Sequence, residues 1–355
     1  MAKPIFLCSL KERVGKTLIS IGIIQKLINE GKKVAYFKPI GNPKAAFSNK
    51  ADIDVGFIMS TILHTSIPYD NICPVSIPHN YYIDLIEAAK KEEYLNKIKS
   101  AYEEISKGMD YVIIEGSPSI RKFVRVGVDD LSIAHALGIK ELVYIETESS
   151  DQCIDHIFFT KNYFDFRQIN FKGVLFNKIN FDYIARIKEL EENNIKRYGI
   201  PIIGIIEKSL ELLSARVHEV QEAIGAEFIN AASWEGLSNL VETYLIGAMN
   251  PQAALKYFRQ VRRAAVITGG DRTDVALAAL STDVSCLILT GGFTQPDTTV
   301  ITVANEKNIP ILLSPSDTYT TIRNMENVKP GIQKDEINMV IDFIDKFINW
   351  DLLFS

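Results

Sequence analysis

The chain is poor in the residues that build metal centres and disulfide frameworks. Its four cysteines, Cys8, Cys73, Cys153 and Cys286, lie far apart in 355 residues with no Cys-x-x-Cys pair, which excludes a zinc site or a stapled secreted fold from the pattern. The five histidines (His64, His79, His135, His156, His218) are equally scattered and receive no catalytic role. Long hydrophobic runs are missing too, since none approaches the ~20 residues that a bilayer span requires. The first residues lack the charged-then-apolar pattern of a leader, so a cytoplasmic location is expected. Positive charge is not in excess. A formal net charge of −5 gives no global attraction to nucleic acid or to an anionic membrane surface, and neither is expected as a partner.

What is present is a strong α/β pattern. The 47% apolar content is ample for packed cores, and the length allows two or three domains. Apolar, β-prone runs such as "KPIFLCS", "KKVAYFKPIG", "MDYVIIEGSPS", "IKELVYIET", "FKGVLFNKIN" and "YGIPIIGII" alternate with stretches of helical spacing. That alternation predicts a doubly wound, mostly parallel sheet with helices on both faces. Ligands in such sheets bind at the carboxyl ends of the strands. Around residue 216 the pattern restarts with a second, smaller α/β series, without a Pro-Ser linker or sequence repeat to mark the join. The predicted division is therefore 1–215 and 216–355, the second part carrying the C-terminal helix.

The segment "LCSLKERVGKTLIS", residues 7–20, ends like a phosphate-binding loop but has Leu10 where the G-x-x-x-x-G-K-[ST] spacing asks for its first glycine. The rest of the requirement is met, because the strand "KPIFLCS" precedes the loop and an amphipathic helix with Leu18, Ile19, Ile23, Ile24 and Leu27 follows it. Gly15 lets the backbone approach phosphates, Lys16 is placed for β and γ oxygens, and Thr17 can ligate Mg2+. Such a site also needs an acid at the end of a neighbouring strand. Glu115, closing "DYVIIEG", is the candidate, since a carboxylate buried there calls for a cation. Lys38 ends the second strand and points to phosphates or a second substrate. Asn177 ends another strand, where its amide could pair with an adenine edge or simply form a turn. Asp52 and Asp54 could share the metal or cap the next helix. Lys16, Lys38 and Glu115 form the candidate catalytic set, and Thr17, Asp54 and Glu115 the candidate metal set.

In order and ensemble these motifs resemble the dethiobiotin synthetase-like P-loop family over roughly residues 3–215. The matching stretches are "YFKPIG", "IIEG", "GVLFNKI" and "IPIIGIIEKSLELLSARVHEV". That family's longer loop would align Ser9 with its first glycine. Lys11 falls where related partitioning ATPases carry a signature lysine, leaving open an in-trans role or a solvated loop residue. The resemblance implies ATP and Mg2+, with Ser9, Lys11, Val14, Gly15, Lys16, Thr17 and Leu18 around the nucleotide. It also implies a substrate-holding role for Lys38 in the ligase, whose diamine site has no further match here.

Downstream, "VITGGDRTDVALAAL" and "CLILTGGFTQP" resemble the DRTGG domain, with its namesake residues at Asp271, Arg272, Thr290, Gly291 and Gly292. In this reading Asp271 or Thr273 caps a helix while Arg272 reaches out as an anion fork. Two glycine loops at neighbouring strand ends could make an anion or nucleotide pocket, or merely close the domain or a dimer interface through an Asp-Arg pair. The tandem resembles the N-terminal half of long-form phosphotransacetylases. The sequence ends after "FINWDLLFS", so acetyl transfer is not expected. The resemblance implies an ATP- and Mg2+-binding regulatory protein that self-associates and acts on a partner. An ATP-dependent ligase acting on a carboxylate or carbamate is the alternative.

Overall fold

The computed structural model describes residues 2–43, 52–78, 90–292, 296–326, 328 and 336–355. It divides into two compact units, Met1–Lys208 with Gln333–Ser355, and Ser209–Ile332.

The first unit holds β1 (Lys3–Ser9), β2 (Val34–Phe37), β3 (Ile40–Gly41), β4 (Val75–Ser76), β5 (Tyr111–Glu115), β6 (Glu141–Glu146), β7 (Asn170–Ile179) and β8 (Ile202–Glu207). Six of these form one sheet in the order β2-β5-β1-β6-β7-β8, every pair parallel. This is the doubly wound sheet that the alternating pattern predicts. Its strands are buried aliphatic runs, as strands covered on both faces must be. The chain leaves β1 to one side for β2 and β5 and to the other for β6 to β8, so the loop after β1 stands at the point where strand order reverses, the usual ligand crevice. Helix α1 (Lys16–Asn29) starts there. The helical spacing read around residue 100 is met by the helix Lys91–Ile105, while residues 79–89 lie outside the described part.

The second unit contains β9 (Ala215–Arg216), β10 (Glu227–Phe228), β11 (Leu240–Val241), β12 (Thr243–Ile246), β13 (Ala264–Gly269), β14 (Val284–Thr290) and β15 (Ile311–Leu313). Its main sheet runs β10-β15-β14-β13-β12, parallel except for the β10 edge. One core lies among Phe258, Val275, Leu280, Leu287 and Val300. Another lies among Val217, Val220, Ile267, Ile288 and Leu312. No helix among the described residues is long and apolar enough to cross a membrane.

The division corrects the sequence-based boundary at one point. The C-terminal helices Ile337–Asp345 and Trp350–Phe354 belong to the first unit, not to the second. The cause is packing against α1 and the sheet edge: a Cβ at Gly22 would lie 2.7 Å from Ile344 Cδ1, so glycine there admits Ile344. Lys26 pairs with Asp345 at 3.0 Å, and the Asn349 N–H donates to the Ile203 carbonyl at 2.7 Å. Phe354 meets the Tyr111 ring at 5.6 Å.

Candidate nucleotide site

The loop between β1 and α1 is held by its own carbonyls. Asn177 Nδ2 donates to the Val14 carbonyl at 2.7 Å and Lys178 Nζ to that of Arg13 at 2.9 Å. Ser9 Oγ donates to the Lys11 carbonyl at 2.7 Å, and Ser119 Oγ to that of Leu10 at 2.6 Å. Four side chains, from β1, from β7 and from the loop after β5, thus fix the loop. Arg13 and Gly15 take left-handed φ values of 59° and 89°, a turn geometry suited to anion-binding backbone. Gly15 is also required sterically, because a Cβ there would meet Asn177 Nδ2 at 2.5 Å. Leu18 follows in the first turn of α1. Lys11, still partly exposed, pairs with Glu148 of the same chain at 2.6 Å.

Lys16 is buried, and its Nζ donates to Ser9 Oγ at 2.7 Å and to the Pro118 carbonyl at 3.1 Å. Burial lowers its pKa, with Asp130 and Glu115 opposing that shift. Ser9 therefore has a definite task as an acceptor for the loop lysine. Thr17 Oγ1 donates to Glu115 Oε1 at 3.1 Å and lies 3.4 Å from Asp54 Oδ2. The three candidate metal ligands come together as a hydroxyl and two carboxylates, all hard oxygen donors of the kind Mg2+ takes.

Lys38 is not a solvent lysine. Its ammonium lies 3.1 Å from Asp52 Oδ1, 3.2 Å from Asp54 Oδ2 and 3.3 Å from Glu115 Oε1. Burial alone would lower its pKa, but Glu115, Asp54 and Asp52 hold it well above the ordinary lysine value. Burial raises the Glu115 carboxyl against the pull of Lys38. Asp52, raised by burial, ends below its usual range through Lys38 and backbone N–H donors. Asp52 also accepts from the Asp54 N–H at 3.1 Å, capping the helix Ile53–Phe57.

Two residues escaped the sequence reading. Tyr36, fully buried on β2, donates its hydroxyl to Glu115 Oε2 at 3.0 Å; within the apolar run "KKVAYFKPIG" it reads as plain core. Asp130, fully buried, accepts from the Ser117 N–H at 2.7 Å, and burial pushes its carboxyl up to about 6. The signal for Asp130 was the Asp129-Asp130 pair at the start of "DDLSIAHAL", which reads equally as helix capping, the part Asp129 plays.

In the second unit the two glycine loops are neighbours, since β13 and β14 run in register to Gly269 and Thr290. Thr290 is buried, its hydroxyl 2.8 Å from that of Thr318. Gly291 and Gly292 follow with φ of 95° and 55°. The expected cap is corrected: Arg272 itself occupies the N-cap position of the helix Thr273–Leu280, and no side chain caps it. Nor does Arg272 pair with Asp271. Its Nε donates to Asp274 Oδ1 at 3.2 Å and its second terminal nitrogen to the Met249 carbonyl at 3.0 Å. Asp271 is turned toward its own loop, where a Cβ at Gly269 would lie 2.6 Å from Asp271 Oδ1.

Comparison with known proteins follows the same division. Residues 3–216 match the family described as AAA domain, and residues 219–328 match the DRTGG domain. The phosphate acetyltransferase of Nitratidesulfovibrio vulgaris is 24% identical over 98% of this chain and 51% of its own length. That of Escherichia coli is 22% identical over the whole chain and 53% of its own length. The chain spans about half the length of these curated relatives. Among solved structures, the CBS and DRTGG domains of the regulatory region of Clostridium perfringens pyrophosphatase, complexed with the activator diadenosine tetraphosphate, align with a TM-score of 0.29. That alignment is 22% identical and covers 40% of this chain and 70% of that one. The chain belongs to the AAA domain family, carries a DRTGG domain after that P-loop region, and fits the N-terminal half of a long-form phosphotransacetylase.

Proposed function

We propose that this protein binds ATP with Mg2+ at the Gly15-Lys16-Thr17 loop and acts in the cytoplasm as a nucleotide-responsive regulatory module. Its DRTGG domain serves as the half that senses an anionic effector or self-associates. The observation that carries this reading is the meeting of Thr17 Oγ1 with Glu115 Oε1 and Asp54 Oδ2 within 3.4 Å, directly behind the glycine turn. These three residues would hold the metal, Asn177 would keep the loop in shape, and Lys16 would turn its ammonium from Ser9 and the Pro118 carbonyl to the phosphates. Bound Mg2+ would neutralise phosphate charge. The buried Lys38 ammonium, already lodged against both carboxylates, supports a site made for positive charge.

The ligase alternative asks Lys38 to present its ammonium to a second substrate. Three carboxylates claim that ammonium, which supports the regulatory reading, and small amines or carboxylates should not raise ATP turnover by orders of magnitude. Calorimetry with Mg-ATP tests the nucleotide assignment. Lys16→Ala should abolish measurable binding without unfolding the protein, whereas Glu115→Gln should retain nucleotide affinity within about threefold and lose its Mg2+ dependence. Unchanged affinity in Lys16→Ala would refute the assignment.

A further inference from the structure

Asp54 Oδ2 and Glu115 Oε1 face two different groups at once. Thr17 Oγ1 lies 3.4 and 3.1 Å from them, and Lys38 Nζ lies 3.2 and 3.3 Å from the same two oxygens. Glu115 cannot turn away easily, because Tyr36 engages its other oxygen at 3.0 Å. A divalent ion bound to that pair would sit about 2.1 Å from each oxygen. An ammonium touching the same pair would then lie within about 5 Å of the metal, where two positive charges repel. Asp52 offers the ammonium another place. It lies 3.1 Å from Lys38 Nζ and is fixed by the Asn42 and Asp54 N–H groups at 3.0 and 3.1 Å.

We infer that Lys38 is a built-in competitor of the divalent cation: its ammonium shares Glu115 and Asp54 with the metal position and must withdraw to Asp52 before a metal is admitted. This rests on the reading of Thr17, Asp54 and Glu115 as the divalent site. It gives Lys38 control over metal entry in place of contact with a second substrate. A bare divalent ion then binds poorly. A nucleotide supplies phosphate oxygens to the metal and a new anionic partner to the displaced ammonium, so metal and nucleotide enter together.

The test uses Mn2+ alone with the full chain and no nucleotide, free Mn2+ being counted by electron paramagnetic resonance. Lys38→Met should bind Mn2+ at least about tenfold more tightly than wild type, since a like charge is removed. Asp52→Asn should weaken Mn2+ about fivefold or more in the wild-type background but less than about twofold in Lys38→Met, because Asp52 acts through Lys38. Additive effects, or a Lys38→Met that binds Mn2+ no better, overturn the inference. Should Lys38→Met lose its fold, circular dichroism in millimolar MnCl2 decides: recovery of structure supports the competition, and an unresponsive chain overturns it. Absence of Mn2+ binding in every variant overturns the metal reading together with the inference. Loss of Mg-ATP binding by wild type would instead strike only the nucleotide assignment, because this cycle contains no nucleotide.

Discussion

At the residue scale, legibility in the sequence follows distance along the chain. Gly15, Lys16 and Thr17 declare themselves because their chemistry lies in one tripeptide between a strand and a helix. Glu115 does so because a carboxylate ends an aliphatic strand. Tyr36 was illegible, for its partner Glu115 is brought to it only by the pairing of β2 with β5. Asn177 is a different case, since its strand-end position was foreseen but not the bond that one of its amide N–H groups makes to the Val14 carbonyl. Asn177→Ala should therefore weaken ATP and GTP to the same degree, about tenfold, through loss of a buried hydrogen bond worth about 1–3 kcal/mol. Parallel titrations with the two nucleotides check this, and a loss confined to ATP would favour the adenine-reading role instead. Asp130 makes a pH prediction. Its folded value of about 6 exceeds the ordinary 3.8, so the folded state holds the proton more tightly. Its contribution is fully favourable below about pH 4 and is lost as pH rises through 6. Asp130→Asn, which can still accept from the Ser117 N–H, should gain on wild type by up to about 3 kcal/mol between pH 4 and pH 7. Denaturant melts at those two pH values measure the difference, and a pH-independent gap would reject it.

At the scale of elements, β1, β5, β6 and β7 were visible as buried aliphatic runs, and α1 as the amphipathic stretch behind the loop. The C-terminal helix was visible as a helix, but an apolar stripe states only that a helix is covered, not by what. Val340 and Ile344 are fully buried, and the sign of their partner was Gly22, a helix-interior glycine whose reason could not be read locally. Gly→Ala in an exposed helix interior gains about 1 kcal/mol. Here the new methyl would sit 2.7 Å from Ile344 Cδ1 and 2.9 Å from its Cγ2. Gly22→Ala should instead destabilise the first unit by about 1–3 kcal/mol through overpacking. Adding Ile344→Ala should recover part of that loss, a non-additivity readable from thermal melts of wild type, the two single variants and the double variant. The cap of the helix Thr273–Leu280 was misread because "GGDRTD" offers Asp271 and Thr273 as better capping residues than Arg272. The observed backbone places the arginine there instead.

For the whole molecule, the first unit is made of two separate stretches of chain and the second of one continuous stretch. Residues 209–332 should therefore fold alone, with melting unchanged from that in the full chain. A chain cut after residue 332 should lose several kcal/mol from the first unit, because Val340, Ile344, Ile348 and Leu353 are buried and each such side chain contributes about 1.5–3 kcal/mol. Calorimetry resolving two transitions in the full chain checks both statements, and an unaltered first transition in the truncated chain would contradict the assignment of the terminal helices. The same discontinuity sets an order of events during synthesis. The loop, its helix and the acid that faces them emerge from the ribosome first. The helix that packs on Gly22 emerges only after the complete second unit, which can fold as soon as its own residues are free. Until residues 336–355 appear, the outer face of α1 is bare, so the domain made first is the domain finished last.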